Sequence, residues 1–264
     1  MIRLVACDLD GTLLDDEKKA DQGFKEIIPK LKEKGIRYTF VSGRNEELLC
    51  QYIDEFGLEE PYVVNNGGNI YQKHQCLYND YIPQEYNGPL SDILMKYDVV
   101  FRLFSTEKIY AHKDSLFFDK RMGVLKTMGM EYMDPSTDVK DLHIYKITCD
   151  FTGKEEILKP LIEELKEKCP KLNFLKAENA VYCANSLTAN KGAALKRICD
   201  MLEIPMKDVM AFGDADNDLS MLEEAGVSVA MGNSPRDIRE KCDYTCADNN
   251  HNGISAFLKE YFNL

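Results

Sequence analysis

Two carboxylates placed two residues apart, Asp8 and Asp10, follow directly on the mostly apolar run from Ile2 to Cys7. A second acidic cluster, Gly213-Asp214-Ala215-Asp216-Asn217-Asp218, follows another apolar run, Val209 to Phe212. Asp-Gly alone signals a turn. In an open α/β sheet, however, ligands bind beyond the carboxyl ends of the strands, so two such clusters would emerge at one sheet edge. Clustered carboxylates with no soft donor beside them suit a hard divalent cation, and Mg²⁺ is the usual one where phosphate is handled. Ser42 and Gly43 also end a strand-like run. There a hydroxyl and a backbone N–H can meet a phosphate oxygen, or simply make a turn. Lys191 opens a helical pattern, where a cation gains nothing from the helix dipole. Such a lysine is either solvated or placed to neutralise an anionic nucleophile and its substrate.

The elements that would position these residues follow from periodicity. Phe24, Ile27, Ile28 and Leu31 mark one helical face, with Pro29 predicting a late start or a kink. Ile36 to Val41 reads as a strand, Glu46 to Phe56 as a helix closed by Gly57, and Tyr62 to Val64 as a strand running into Asn65-Asn66-Gly67-Gly68. Strands alternating with helices describe a parallel sheet covered on both faces. From about 82 to 184 the strands alternate apolar and polar residues (99–104, 109–112, 143–151, 173–175 and 181–184), with helical patterns near 90–97, 114–128 and 153–168. That suits an α+β layer with one wet face. The earlier pattern then resumes, with helices over 191–202, 219–225, 235–241 and 253–262 and strands over 209–212, 227–230 and 243–246. The expected organisation is an α/β, Rossmann-like core of residues 1–81 and 185–264, interrupted by an α+β insertion of residues 82–184.

The chain has 264 residues, 44% of them hydrophobic and 30% charged, a globular composition. Its net charge of −12 argues against a nucleic-acid partner, which needs a basic surface. No apolar stretch reaches the length of a membrane span and no export signal opens the chain, so neither membrane nor secretion is expected. Nine scattered cysteines then read as free thiols in a reducing cytoplasm. Cys242 and Cys246 have no histidine spaced to complete a metal site.

The stretches Asp8-Leu9-Asp10-Gly11-Thr12-Leu13-Leu14, Val41-Ser42-Gly43-Arg44, Asn190-Lys191-Gly192 and Gly213-Asp214-x-x-Asn217-Asp218 together resemble the four ordered motifs of the haloacid dehalogenase (HAD) superfamily of phosphohydrolases. The insertion resembles the type IIB cap of its Cof-like branch. Val229 to Asn233 and Gly253-Ile254 are also similar to that subgroup. The resemblance implies a Mg²⁺-dependent phosphatase that works through an aspartyl-phosphate. Asp8 would be the nucleophile, and Asp10 the acid and then the base. Mg²⁺ would rest on Asp8, the backbone carbonyl of Asp10, Asp214 and Asp218, with Asp218 binding it directly or through water. Ser42, Gly43, Lys191 and Asn217 would hold the phosphoryl group, while Arg44 would meet substrate or pair with Glu47. The cap would close over the core and choose the leaving group. The segment Asn185 to Asn190 departs from the Pro- and Gly-containing run common in relatives, and Gly68 stands where a small Ala is common. Both departures bear on substrate identity rather than on the chemistry.

The expected partner is a small phosphorylated metabolite, a sugar phosphate or similar, with no nucleic acid, membrane or obligate protein partner. Alternatives are a sugar phosphomutase and a catalytically inactive metabolite-binding regulator. Arg102, His112, His143 and Lys146 are expected on a solvated sheet face, and His251 at the surface or capping a helix.

Overall fold

In the computed structural model, which describes residues 1–113, 130–134, 136–178 and 180–264, the chain divides into two compact units. One joins Met1–Tyr78 with Asn190–Leu264, and the other is the stretch Asn79–Ala189. The first run carries β1 (Leu4–Cys7), α1 (Gln22–Glu33), β2 (Arg37–Phe40), α2 (Glu46–Phe56), β3 (Tyr62–Val64), β4 (Asn69–Gln72) and β5 (Gln75–Asn79). The inserted stretch carries α3 (Asn87–Lys96), β6 (Val100–Ser105), β7 (Ile109–Ala111), β8 (Met130–Tyr132), β9 (Ile144–Asp150), α4 (Leu158–Lys168), β10 (Leu172–Glu178) and β11 (Val181–Ser186). The return run adds α5 (Lys191–Leu202), β12 (Val209–Gly213), α6 (Leu219–Glu224), β13 (Val227–Ala230), α7 (Arg236–Arg239), β14 (Tyr244–Thr245) and α8 (Gly253–Phe262).

The first unit is built on a parallel five-stranded sheet of order β14-β13-β12-β1-β2, so β1 and β12, distant in sequence, are neighbours. Cys7 lies opposite both Phe212 and Phe40, which brings the ends of three strands level. Side chains alternate across this sheet with the period of two that a strand imposes. Val5, Cys7, Met210 and Phe212 enter one core with α1 and α8, while Leu4, Ala6, Val209 and Ala211 enter the other with α5. Burial on both faces is why these strands read as unbroken apolar runs.

The helices start and stop on local signals. Asn45 caps α2 by accepting the Leu48 N–H, and Gly57 ends it in the left-handed region at φ 60°. Asn190 caps α5 through the Ala193 N–H. Pro29 neither delays nor ends α1, which runs unbroken from Gln22. Pro29 and Lys25, whose carbonyl the missing N–H would have met, both lie on the exposed face, where water can satisfy that carbonyl.

In the second unit a six-stranded sheet of order β10-β11-β9-β6-β7-β8, antiparallel except at β7–β8, shares an apolar core with α3 and α4. The units divide after Tyr78 and after Ala189, whereas the sequence boundaries fall after 81 and 184. The second shift has a plain cause. β11 continues through Asn185 and Ser186, which pair with Asn173 and Leu172, and the Thr188 hydroxyl bonds to the Asp80 carboxylate. The β4 and β5 strands and β8 carry no alternation strong enough to have been read from sequence, and the helical pattern at 114–128 lies outside the described residues. His112 and Lys146 are buried rather than solvated, the former beside the Phe101 ring and the latter with its ammonium 5.9 Å from the Phe104 ring centre. Long or amphipathic polar residues cover apolar neighbours with their stems, which sheet alternation alone does not reveal. His143 and His251 are exposed.

The closure of the first unit depends on buried Asp21. Its carboxylate caps α1 at the Phe24 N–H (3.1 Å) and accepts both the N–H and the hydroxyl of Ser255 on α8, each at 2.9 Å. Asp21→Ala removes the cap and leaves the Ser255 N–H without an acceptor, while the Ser255 hydroxyl keeps the Asn252 carbonyl at 3.2 Å. Unfolding free energy should therefore fall by about 2–3 kcal/mol in urea titrations. A loss below about 1 kcal/mol would show that this network does not join the two helices.

Candidate active site

Asp8 is the first residue beyond β1, with its N–H on the Phe212 carbonyl (3.0 Å) and its side chain buried. The chain then turns at Gly11, which has φ +82°. A Cβ there would come within 2.4 Å of an Asp214 oxygen, so both backbone and space require glycine. The turn places the Thr12 hydroxyl 3.0 Å from Asp214 Oδ1. Asp214 itself follows β12, and so reaches the same sheet edge as Asp8 from the far end of the sequence.

Lys191 arrives at this edge because α5 and α6 meet closely. The Gly192 N–H donates to the Ser220 hydroxyl at 3.0 Å, and a Cβ on Gly192 would lie 2.3 Å from the Ser220 carbonyl. The Lys191 side chain is 1% exposed. Its Nζ stands 2.6 Å from Asp8 Oδ1 and 2.6 Å from Asp218 Oδ1. The other Asp218 oxygen accepts the N–H groups of Asp214 and Ala215, each at 3.0 Å. Asp218 thus orients both the lysine and the acidic loop.

Three buried or half-buried carboxylates around one ammonium leave an excess of negative charge. Burial, reinforced by Asp218, pushes Asp8 up to about 8 despite the opposing pull of Lys191. Burial and Asp218 likewise push Asp214 up to about 6 against the Thr12 hydrogen bond. Burial alone would lower Lys191, but Asp218 and Asp8 overcome it and hold the ammonium above its usual range. Asp8, Asp214 and Asp218 each present an oxygen within 4.8 Å of the others, the one such cluster found among the described residues. Hard oxygen donors with uncompensated charge fit a divalent cation.

Asp10 points elsewhere. Its carboxylate is not part of that cluster but is gripped by Arg44, with Nε to Oδ2 and Nη2 to Oδ1 both at 2.7 Å, and by Lys18 Nζ at 2.9 Å. Burial raises it, yet the two cations prevail and hold it at about 2. Arg44 is therefore engaged by Asp10, whose carboxylate its planar fork meets bidentately. Ser42 is buried, its hydroxyl accepting the Arg44 N–H at 3.1 Å and its carbonyl accepting the Asn66 N–H at 3.0 Å. Asn66 sits in the left-handed region at φ 55° and accepts from Asn217 Nδ2 at 3.0 Å, which ties the Ser42–Gly43 turn to the acidic loop.

Asp8, Lys191, Asp214, Asp218, Ser42 and Asn217 thus gather at one edge, with Asp10 and Arg44 paired beside them. Sequence reasoning missed Thr12, Lys18, Tyr52, Asn66 and Ser220. The polar run after β3, at the same strand end as the other motifs, could have pointed to Asn66. No spacing signals Lys18 or Tyr52, which meet the site only through folding.

A family model for haloacid dehalogenase-like hydrolases matches residues 5–258, and the chain belongs to that family. It is 29% identical to the Bacillus subtilis 5-amino-6-(5-phospho-D-ribitylamino)uracil phosphatase YitU over 99% of this chain and 98% of that one. A second phosphatase of that name from B. subtilis, YwtE, is 27% identical over 98% of each chain. Among solved structures, an HAD subclass IIB sugar phosphatase superposes with a TM-score of 0.82 at 20% identity, covering 99% of this chain and all of that one. A haloacid dehalogenase-like hydrolase from Bacteroides thetaiotaomicron gives 0.81 at 23% identity over 99% and 100%. The chain is accordingly an enzyme of the phosphoric monoester hydrolase class, with the HAD core fold and a separate, largely antiparallel sheet in the inserted stretch.

The raised acids set a pH dependence. Without metal, the folded protein binds protons at Asp8 and Asp214 that the unfolded chain has already released. Stability should therefore be greatest near the unfolded carboxyl value and fall as pH rises toward about 8. In chelator, urea midpoints should be higher at pH 5 than at pH 8, and Asp8→Asn should flatten that difference. Mg²⁺ should stabilise more at pH 8 than at pH 5. A metal-free protein whose stability at these two pH values does not depend on Asp8 would contradict this electrostatic account.

Proposed function

We propose that this protein is a Mg²⁺-dependent phosphatase that hydrolyses a small phosphorylated metabolite, a sugar phosphate or similar, through an aspartyl-phosphate. The observation that carries the reading is buried Asp8 at the carboxyl end of β1, bonded to Lys191 beside two further carboxylates. Lys191 orients the Asp8 carboxylate and lowers the repulsion met by an incoming phosphate ester. Asp8 attacks phosphorus as the bond to the ester oxygen breaks, and Asp10, having taken up a proton from solvent, delivers it to that departing oxygen. Asp10 then takes a proton from water, which attacks the aspartyl-phosphate, frees inorganic phosphate and restores Asp8. Ser42, the Gly43 backbone, Lys191, Arg44 and Asn217 hold the phosphoryl oxygens. Asp8, Asp214 and the Asp10 backbone carbonyl, with Asp218 directly or through water, would hold Mg²⁺, which would supply charge neutralisation for the approach of one anion to another.

Relatives named for a phosphorylated ribityl compound, and one from Methanobrevibacter smithii named phosphoglycolate phosphatase, support a small phosphate ester as the substrate class. Among the described residues no helix is long and apolar enough to cross a membrane. None of the nine cysteines is joined in a disulfide, which suits the reducing cytoplasm we propose as its setting.

The deciding measurement is release of inorganic phosphate from an aryl phosphate and a panel of sugar phosphates, with and without Mg²⁺. Release should require the metal, and Asp8→Asn should reduce turnover by roughly a thousandfold or more while substrate still binds. Turnover that survives Asp8→Asn would remove Asp8 from the role of nucleophile.

A further inference from the structure

The bonds around Asp10 close into a ring. Arg44 holds both Asp10 oxygens at 2.7 Å and lies over the Tyr52 ring, 5.2 Å from its centre. The Tyr52 hydroxyl donates to the Lys18 carbonyl at 3.0 Å, and Lys18 Nζ returns to Asp10 Oδ1 at 2.9 Å. Lys18 is fixed in the left-handed region at φ 64° by its turn, in which its N–H meets the Asp15 carbonyl. A carboxylate that already accepts three charge-assisted hydrogen bonds has both oxygens occupied. That arrangement does not suit a group required to meet a leaving-group oxygen.

Arg44 is also anchored where a phosphoryl group would arrive. Its backbone N–H donates to the Ser42 hydroxyl at 3.1 Å, so its side chain extends from the Ser42–Gly43 turn to Asp10. A guanidinium fork fits two phosphoryl oxygens as well as it fits a carboxylate. Asp10, whose side chain is 41% exposed, and a phosphoryl group at Ser42 would therefore compete for one cation.

We propose that Arg44 serves the two anions in turn: it clamps Asp10 in the ligand-free protein and passes to the phosphoryl group when an ester binds at Ser42. The exchange releases an Asp10 oxygen toward the leaving group, while Lys18 keeps its hold on the other side of the carboxylate. Tyr52 gives the guanidinium a surface on which to turn without losing its stacking. The exchange rests on the proposed function, in which the Ser42 turn receives the phosphoryl group.

Competition for one cation is a linkage, so it can be measured by binding alone. Calorimetry with inorganic phosphate in the presence of Mg²⁺ should compare the unaltered protein, Asp10→Ala, Arg44→Ala and the double variant, each checked by thermal unfolding. Asp10→Ala removes a repelling charge in either background, but only with Arg44 present does it also free the guanidinium. Phosphate should consequently bind more tightly on Asp10→Ala, and the gain should be about tenfold larger with Arg44 in place than in the Arg44→Ala background. Arg44→Lys, which lacks the fork, should reduce that excess. Equal tightening in both backgrounds, or weaker binding on Asp10→Ala, would overturn the exchange. Hydrolysis of an aryl phosphate by the unaltered protein reports separately on the parent reading, so the two can fail independently.

Discussion

The site depends on one buried ammonium. Lys191 lies between Asp8 and Asp218 with almost no access to water, and each contact is 2.6 Å. Removing either partner of such a group strands a charge in the interior, which is costly. The ammonium therefore fixes where three separate pieces of chain must meet: the end of β1, the start of α5 and the loop after β12. The parallel sheet brings β1 and β12 together. The close approach of Gly192 to Ser220 then sets the height of the lysine.

The same ammonium leaves the site incomplete by itself. One positive charge among Asp8, Asp214 and Asp218 does not balance them, and burial, with Asp218 beside them, raises both Asp8 and Asp214. A dication would remove it, because a bound metal ion inverts the local preference for protonated carboxylates. The −12 net charge of the chain belongs to the same picture. A protein so acidic can receive a phosphate only where positive charge is concentrated, and in the proposed function that task falls to Lys191, Arg44 and the cation that the carboxylates suit.

Asp8 and Asp10 show how two neighbouring carboxylates acquire different characters. Asp8 is enclosed among acids and holds a proton readily, whereas Asp10 faces outward into two cations and gives one up readily. Two residues of separation along an extended turn suffice to place them in opposite electrostatic surroundings. The difference lies in their neighbours, and every one of those neighbours comes from elsewhere in the chain.

The alternation of buried strands and helices, the boundaries of α2, β3, α5, β13 and α8, and the candidate acids at the strand ends are all legible in the order of residues. These are local matters: period, caps such as Asn45 and Asn190, and stops such as Gly57 act within a few residues. Motif order added the inserted stretch. Which charge meets which emerges only from folding. Arg44 stood open between substrate and Glu47 and is found on Asp10, Lys18 gave no signal, and Lys146 left its expected wet face. A long cationic side chain reaches across several residues' breadth of surface. Its partner is therefore set by the packing of distant segments, which no spacing along the chain records.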